Sequence, residues 1–276
     1  MASERDVSDF WGHGNTRERI LEALKTAGLS TESLSVQDLA PVDHLHARGL
    51  PATVELADRL PIAPGQHILD IGCAVGGPAR YMAERFGCRV SGIDITPGFI
   101  EAGEKLSRLT DMTDNVDLRV GDGATLPYES SSFDGAYTQH VTMNVADRAA
   151  FYAEAFRVIR PGGFFALSEH GMGSKGDPIY PLPWAAEPSM SFLKTREETE
   201  EYLRSAGFEQ IETIDTGPKY VAGYRKMLAR IEADGLPTLG LHVIGGKAVA
   251  ERAENSTRSI EEGRTHPIEI VCIRPE

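Results

Sequence analysis

The chain has 276 residues, of which 41% are hydrophobic and 25% are charged, and its formal net charge at pH 7 is −13. This composition is that of an ordinary globular protein, and the length suits one large α/β domain with additions. The acidic balance repels phosphate backbones and thereby excludes nucleic acid as a partner. No apolar run is long enough to span a membrane. The expected partner is a small molecule, bound by a monomer or a homodimer.

The cysteines and the first residues indicate the cellular compartment. Cys73, Cys88 and Cys272 are odd in number and lack the spacing of a zinc site. The first residues are charged and lack the apolar segment of a secretory signal. Free thiols in a reducing compartment, and a cytoplasmic protein, are therefore expected.

The first part of the chain is predicted to be a helical cap, residues 1–60. Within it, Pro51 suits the first turn of a helix. Strand-like and helical segments then alternate from Pro64 to Leu167, which is typical of a mostly parallel sheet. Residues 61–276 are therefore predicted to form a single α/β domain.

The segment from His67 to Asp94 has the pattern of a strand, a glycine-rich turn, a helix and a second strand that ends in an acid. Small residues at Gly72, Gly76 and Gly77 let a ligand approach the backbone at a helix N-terminus. A carboxylate at Asp94 can accept hydrogen bonds from ribose hydroxyls. The segment therefore predicts a cofactor that contains a nucleoside.

Two cofactors fit this turn. Gly72-x-Ala74-x-x-Gly77 is a nicotinamide or flavin fingerprint with one glycine replaced. Asp70-x-Gly72-x-Ala74-x-Gly76 resembles the first motif of class I S-adenosylmethionine (SAM) methyltransferases, in which Ala74 is usually glycine. Asp70 favours SAM, because a carboxylate repels a pyrophosphate and attracts the ammonium of a methionine moiety.

Later segments also favour SAM. The run Gly121-Asp122-Gly123-Ala124 follows a strand-like segment and places an acid where it can bond an adenine amino group. A helical stripe from Phe151 to Ile159 then ends at the turn Arg160–Gly163, before a strand from Phe164 to Leu167. In this order of motifs, residues 41–275 resemble a class I SAM-dependent methyltransferase. The resemblance implies a Rossmann-like, seven-stranded, mostly parallel sheet with an antiparallel last strand.

A narrower resemblance rests on the segments Asp43–Leu50, Thr138–Asn144 and Tyr180–Ala185. They are similar to the sarcosine/dimethylglycine methyltransferase-like group, which is related to the ubiquinone and menaquinone C-methyltransferases. The resemblance implies SAM as methyl donor, S-adenosylhomocysteine as product, and a metabolite or natural product of secondary metabolism as acceptor. The predicted cofactor contacts are His46, Asp70, Gly72, Cys73, Ala74, Gly76, Gly77, Asp94, Ile95, Asp122, Gly123, Ala124 and Gln139.

Two segments outside the core pattern are predicted to hold the acceptor. Residues 174–194 contain four prolines and large aromatic side chains, which suits a lid over the carboxyl ends of the strands. The alternative is a loop packed on the sheet edge. Residues 218–265 are predicted to form a helical insertion. If the acceptor is an amine, the rings of Tyr180, Trp184 and Tyr220 favour an ammonium product by cation–π attraction.

The predicted catalytic residues lie at strand ends and in the lid. His140 follows the strand that opens at Phe133, where it can act as a base or orient the acceptor. The other candidates are Asn144, Glu169, His170, Tyr180 and Trp184. The spacing of the histidines does not predict a metal site. Two alternatives stay open, a SAM-binding protein without methyl transfer and an NAD(P)-dependent oxidoreductase.

Overall fold

The computed structural model describes residue 11 and residues 14–276. The other residues of the predicted cap, 1–10, 12 and 13, lie outside the described residues. The helices are α1 (Thr16–Thr26), α2 (Val36–Asp43), α3 (Leu50–Ala57), α4 (Gly77–Phe86), α5 (Pro97–Leu109), α6 (Arg148–Val158), α7 (Arg196–Ala206), α8 (Gly217–Asp234), α9 (His242–Gly245) and α10 (Val249–Glu261). The strands are β1 (His67–Ile71), β2 (Arg89–Asp94), β3 (Val116–Val120), β4 (Phe133–Gln139), β5 (Ile159–Met172), β6 (Glu209–Asp215) and β7 (Thr265–Ile273).

The seven strands form one sheet in the order β3-β2-β1-β4-β5-β7-β6. Strands β1 to β5 pair in parallel, and β7 lies antiparallel between β5 and β6. The predicted fold, with its antiparallel last strand, is confirmed. The strand order reverses between β1 and β4, and ligands of such sheets bind at the carboxyl ends of the strands beside this point.

The central strands are apolar on both faces because helices cover both. Ile68 of β1 packs on one face in a cluster with Met82 of α4. Leu69 and Ile71 point to the other face and pack in a cluster with Phe151 of α6. A parallel strand that is buried on both sides therefore reads as a continuous apolar run.

Strand β5 differs from the expectation, because it extends beyond Phe164–Leu167 at both ends. It begins at Ile159, the last residue of the predicted helical stripe, which pairs with Phe133, and it runs through the predicted turn, where Gly162 adopts a φ of 74°. It continues to Met172 because β7 pairs with it as far as Thr265. The antiparallel pairing with β7, which sequence spacing alone does not reveal, sets this length.

The cap packs directly on the helices of the sheet domain. Ile20 and Leu24 of α1 lie in one apolar cluster with Phe99 and Leu106 of α5. Helix α2 lies against α4 with a fully buried ion pair, in which Arg80 Nη2 is 3.0 Å from Asp43 Oδ2. The cap therefore shares its core with the sheet domain.

The predicted insertion, residues 218–265, contains most of α8 together with α9 and α10, and it ends at the first residue of β7. The predicted lid, residues 174–194, contains a short 3₁₀ helix, Pro188–Met190, and buries Trp184 beside Met143. In the part of the chain that is described, the helices are too short or too polar to cross a bilayer.

Candidate active site

A cavity of about 660 Å³ opens at the carboxyl ends of β1, β2 and β4, and we call it the strand-end cavity. Its volume is in the range of small-molecule sites. Its walls come from the glycine-rich turn, the cap and the segments after β2, β3 and β4. The lining residues are Trp11, Asp43, Leu45, His46, Asp70, Ile71, Gly72, Cys73, Ala74, Pro78, Ile93, Asp94, Ile95, Thr96, Phe99, Gly121, Asp122, Gly123, Ala124, Gln139, His140, Val141, Asn144, Val145, Ala146, Asp147, Phe151 and Phe192.

Most of the predicted cofactor contacts line this cavity. They are His46, Asp70, Gly72, Cys73, Ala74, Asp94, Ile95, Asp122, Gly123, Ala124 and Gln139. The strand ends bring them together, because the carboxyl ends of neighbouring parallel strands lie at one edge of the sheet.

Two predicted glycine contacts lie elsewhere. Gly76 precedes α4 with a φ of 78°, and a Cβ there would lie 2.8 Å from Leu118 Cδ1. Gly77 lies under the cap, where a Cβ would be 2.3 Å from the carbonyl oxygen of Asp43. Both glycines therefore allow close packing of the protein on itself, neither lines the cavity, and their contact with the cofactor stays a prediction.

Asp70 is a buried carboxylate at the end of β1. Its Oδ2 accepts a hydrogen bond of 3.0 Å from Tyr137 Oη. Burial raises the pKa of Asp70 to about 8, the Tyr137 hydrogen bond opposes this shift, and the nearby Asp94 adds to it. No cationic side chain pairs with Asp70 within the described residues. A cationic ligand group would supply that partner.

Asp94 holds the glycine-rich turn from the end of β2. Its two carboxylate oxygens accept hydrogen bonds of 2.9 Å from the backbone nitrogens of Ala74 and Thr96. Ala74 has a φ of 47°, a left-handed conformation that favours glycine. The carboxylate therefore supports a turn that carries local strain, and it lines the strand-end cavity as well.

Gln139 ends β4 with a buried side chain. Its Oε1 accepts a hydrogen bond of 3.3 Å from Thr53 Oγ1, whereas its Nε2 hydrogen-bonds to no described residue. Because an unpaired buried amide is unfavourable, this nitrogen indicates a ligand group in the cavity. Thr53 is a site residue that sequence reasoning missed.

A second cavity, of about 80 Å³, lies against the helical insertion, and we call it the insertion cavity. Most of its lining is apolar. The lining residues are Trp11, Leu45, His46, Ala47, His140, Met143, His170, Pro183, Trp184, Tyr224, Met227, Leu241, Ile244, Gly245, Val249, Arg252 and Ala253. Trp11, Leu45, His46 and His140 line both cavities, so the two adjoin at these side chains.

His140 lies at this junction in an unusual backbone conformation. Its φ is 59°, in the left-handed region, and its N–H donates to the carbonyl of Ser168 at 2.8 Å. The His46 ring stacks on it with centroids 5.5 Å apart. Burial lowers the pKa of His140 well below its ordinary value, with smaller effects from neighbouring His46, His170 and Arg48. The imidazole is therefore neutral near pH 7, as a proton acceptor requires.

Tyr220 of α8 pairs with His140. Its Oη lies 2.5 Å from His140 Nε2, and the Arg48 guanidinium lies 5.6 Å from the centre of its ring. Burial raises the pKa of Tyr220, so its hydroxyl is protonated. The sequence analysis predicts that the Tyr220 ring attracts an ammonium group. It does not predict the pairing of Tyr220 with His140.

Residues 69–167 match a family described as the methyltransferase domain. The methyltransferase GfsG of Streptomyces halstedii is 26% identical over 245 residues, covering 85% of this chain and 86% of GfsG. Phosphoethanolamine N-methyltransferase 1 of Arabidopsis thaliana is 29% identical over 193 residues, covering 67% of this chain and 37% of the plant protein. The chain thus spans nearly all of one relative and about a third of the other.

Solved structures share the fold across the whole chain. Phosphoethanolamine N-methyltransferase 2 of Haemonchus contortus superposes with a TM-score of 0.77 at 21% identity, covering 100% of this chain and 61% of that one. The chain therefore contains a methyltransferase domain and has the fold of the class I SAM-dependent methyltransferases. A protein of Galdieria sulphuraria described as a sarcosine dimethylglycine methyltransferase superposes with a TM-score of 0.69 at 16% identity, covering 94% of this chain and 98% of that one. The [4+2]-cyclase SpnF superposes with a TM-score of 0.71 at 20% identity, covering 99% of this chain and 97% of that one.

The side chain of Asn144 hydrogen-bonds to the lid segment and to Trp11. Its Nδ2 donates hydrogen bonds of 2.9 Å to the carbonyls of Trp184 and Met190 in the lid segment, and its Oδ1 accepts from Trp11 Nε1 at 3.5 Å. The amide lines the strand-end cavity with its polar atoms paired within the protein, and its predicted role in orienting the acceptor stays a prediction.

Glu169, another predicted catalytic residue, is also paired within the protein, and its predicted role stays a prediction. It is fully buried, and its carboxylate accepts hydrogen bonds from Arg148 at 2.8 Å, from Thr199 at 3.0 Å and from Thr142. It lines neither cavity. A carboxylate buried at a strand end needs a positively charged partner, and Arg148 of α6 supplies it.

The aromatic residues of the lid segment differ in position. Trp184 lines the insertion cavity, and its ring centroid is 4.6 Å from that of His170, which also lines it. Tyr180 packs against the apolar cluster that contains Trp184 and lines neither cavity, and its predicted role stays a prediction.

Two residues of the site carried no role in the sequence analysis. Trp11 lines both cavities, and Asp43 lines the strand-end cavity while it pairs with Arg80 and with His44 Nδ1 at 2.8 Å. The one sequence signal for Asp43 is its place in the segment Asp43–Leu50, on which the resemblance to the sarcosine/dimethylglycine methyltransferase-like group partly rests. Among the described residues, no three His, Cys, Asp or Glu side chains are grouped to hold a metal ion.

Proposed function

We propose that the protein transfers the methyl group of SAM to a nucleophilic oxygen, nitrogen or carbon atom of a mostly apolar small molecule. The observation that carries this proposal is the junction of the two cavities at His140. One side of the junction is rich in carboxylates and the other is apolar. A donor with a charged amino acid moiety and an apolar acceptor can therefore meet at one imidazole.

The residues of the strand-end cavity fit SAM. Among the described residues, no cationic side chain pairs with Asp70 and no group hydrogen-bonds to Nε2 of Gln139. Asp70 would hold the ammonium, and Gln139 Nε2 would donate to the carboxylate. Asp94 would accept from the ribose hydroxyls, and Asp122 would accept from the adenine amino group. Bound there, SAM supplies a methyl group, which the acceptor's electron pair attacks while the sulfur keeps the electrons of the broken bond.

His140 has two arrangements, which differ in the ring nitrogen that carries the proton. If Nε2–H donates to Tyr220 Oη, Nδ1 is free to take a proton from the acceptor. If Tyr220 O–H donates to Nε2, the Nδ1–H group donates to the acceptor and orients it. The first arrangement suits a hydroxyl or amine that loses a proton, and the second suits an acceptor without one.

The lining of the insertion cavity favours an acceptor without phosphate groups. Arg252 is the one charged side chain among the described residues that line it, and Arg252 Nη1 donates to the Gly245 carbonyl at 3.2 Å. Met143, Trp184 and Ile244 supply apolar surface. A natural-product ring system matches this surface better than a small zwitterion does.

The segment 174–194 is proposed to act as the lid of this site, and residues 1–60 as its cap. Trp184 supports the first role because it lines the insertion cavity, and the Asn144 hydrogen bonds hold the segment over the strand ends. His46 supports the second role because it lines both cavities.

The test is an incubation of the protein with SAM labelled in its methyl group and a panel of apolar alcohols, phenols and amines. We expect release of S-adenosylhomocysteine with transfer of the label to at least one of them. The variant His140→Ala should lower turnover at least 100-fold, within the usual range for loss of a positioned acid or base. Its SAM affinity, measured by calorimetry, should stay within about twofold.

The matched control is His266→Ala, because His266 is exposed and pairs with Asp215 away from both cavities. This variant should retain full turnover. Equal turnover in the His140→Ala variant would remove that residue from the chemistry.

Binding without methyl transfer is the second candidate function, because the cyclase SpnF has the same fold. In that case SAM raises the midpoint of thermal unfolding, yet no acceptor yields S-adenosylhomocysteine. The oxidoreductase alternative instead predicts that NADH raises the midpoint and SAM does not.

A further inference from the structure

His170 is a buried polar side chain in the insertion cavity that hydrogen-bonds to no described residue. It lies near the end of β5 with no exposed surface, and both of its ring nitrogens lack a protein partner among the described residues. A buried imidazole in this state destabilises the free protein. Because His170 also lines the insertion cavity, a bound molecule can reach it.

The surroundings of His170 define what can bind there. Trp184, Tyr220 and His140 pack around its ring with centroids 4.6, 5.2 and 5.5 Å away. Burial lowers the pKa of His170 to about 3, so the ring is neutral and offers one donor and one acceptor. A hydroxyl can pair with either nitrogen, and a carbonyl can pair with the N–H.

We propose that His170 binds an oxygen of the acceptor, a hydroxyl or carbonyl group on an apolar frame, and is a specificity-determining residue of this enzyme. This inference rests on the proposed function. His140 lies at the junction and His170 lies in the insertion cavity alone. The acceptor would therefore carry two polar groups, the reacting atom beside His140 and a second group beside His170.

The first test replaces the imidazole with an apolar side chain of similar size, His170→Leu. If the free protein carries an unpaired imidazole, this variant should raise the midpoint of thermal unfolding by about 2 °C or more. The KM for the acceptor should rise at least tenfold, with kcat within threefold and SAM affinity unchanged.

The variants His170→Gln and His170→Asn are the matched controls, because each keeps a donor and an acceptor. One of them should recover most of the lost acceptor affinity without the gain in thermal stability. A residue with a packing role alone would give a lower unfolding midpoint in His170→Leu and an unchanged KM, and this result would overturn the proposal.

A second test needs no turnover. In the full chain with ¹⁵N-labelled histidine, the His170 signals are those lost in His170→Leu. Titration with cyclohexanol should shift them, whereas cyclohexane should not, and the exposed His266 should not respond to either compound. Equal shifts with both compounds, or a larger shift with cyclohexanecarboxylate, would overturn the proposal.

The two hypotheses fail in different ways. If the wild-type protein releases no S-adenosylhomocysteine with any acceptor, the proposed methyl transfer is wrong, and the unfolding midpoint and the ¹⁵N titration still decide the role of His170. If methyl transfer occurs and His170→Leu leaves the KM unchanged, the proposed function stands and the role of His170 is wrong.

Discussion

The strand-end cavity and the insertion cavity adjoin, yet they are built in opposite ways. The strand-end cavity is lined by the carboxylates of Asp43, Asp70, Asp94, Asp122 and Asp147, whereas no carboxylate lines the insertion cavity within the described residues. The first is made mainly from consecutive residues at strand ends. The second is assembled from the cap, two strand-end segments, the lid and the insertion. Under the proposed function, the fold supplies the site for the cationic cofactor, and the added segments shape the site for an apolar acceptor.

The largest expected effect in the strand-end cavity is that of Asp94→Ala. Loss of a charged acceptor for ribose hydroxyls should weaken SAM binding by about 10- to 100-fold, or about 1.5–3 kcal/mol, as measured by calorimetry. Asp94→Asn keeps an oxygen for one of the backbone nitrogens it bonds, so a comparison of the two separates ribose binding from support of the turn. Asp117→Ala, on the exposed edge strand, should bind SAM normally. An affinity within twofold for Asp94→Ala would contradict the role.

The second effect concerns pH. Because burial raises the pKa of Asp70 to about 8, its carboxyl group is protonated in the free protein at pH 6 to 7.5. An ammonium ligand favours the ionised form, so SAM binding should release a proton. Affinity should then rise with pH toward 8, by up to about tenfold per pH unit.

Calorimetry in buffers of different ionisation enthalpy measures this proton release. Asp70→Asn should bind SAM more weakly at pH 7.5 and should lose the pH dependence. If the SAM affinity of Asp70→Asn still rises with pH, another group titrates. Asp94 is the first candidate, because its charge raises the pKa of Asp70.

A smaller effect is expected at the junction of the cavities from Tyr220→Phe. This variant removes the hydroxyl that pairs with His140 Nε2 and keeps the ring. The loss of one hydrogen bond of about 1 kcal/mol should lower kcat about fivefold and shift its pH profile, with SAM affinity unchanged.

Tyr224→Phe is the control, since Tyr224 lies one turn further along α8 and also lines the insertion cavity. If Tyr220→Phe and Tyr224→Phe change kcat and its pH profile alike, the pairing with His140 has no special role.

The smallest effect is on stability and comes from Ala74→Gly. Glycine adopts the left-handed conformation of Ala74 without strain, so the free energy of unfolding should rise by about 1 kcal/mol in urea titrations. Ala79→Gly, inside α4, should instead lower it by at least about 1 kcal/mol. A decrease for both would show that the turn carries no strain at Ala74.

The sequence was sufficient to group acidic residues of the strand-end cavity, for a physical reason. Asp70 and Asp94 lie at the ends of β1 and β2, Asp122 follows β3, and parallel strands bring their carboxyl ends to one edge of the sheet. Local pattern and fold class together were therefore sufficient to group them.

The insertion cavity was less predictable because its contacts join distant segments. His140 pairs with Tyr220, 80 positions away, and stacks on His46 of the cap. Periodicity within a single segment contains no record of such pairs. Gly77 shows the same limit in the glycine-rich turn, because the residue that needs its small size is Asp43 of the cap.

The ion pair between Asp43 and Arg80 has a consequence for how the chain can be divided. Both side chains are fully buried, and Arg80 also donates to the carbonyl of Val75 at 2.8 Å. Separating the cap from the sheet domain would leave an uncompensated charge and open the base of the glycine-rich turn. We therefore expect the cap and the sheet domain to unfold as one cooperative unit, and a fragment that starts at residue 61 to lose the cofactor site together with the cap.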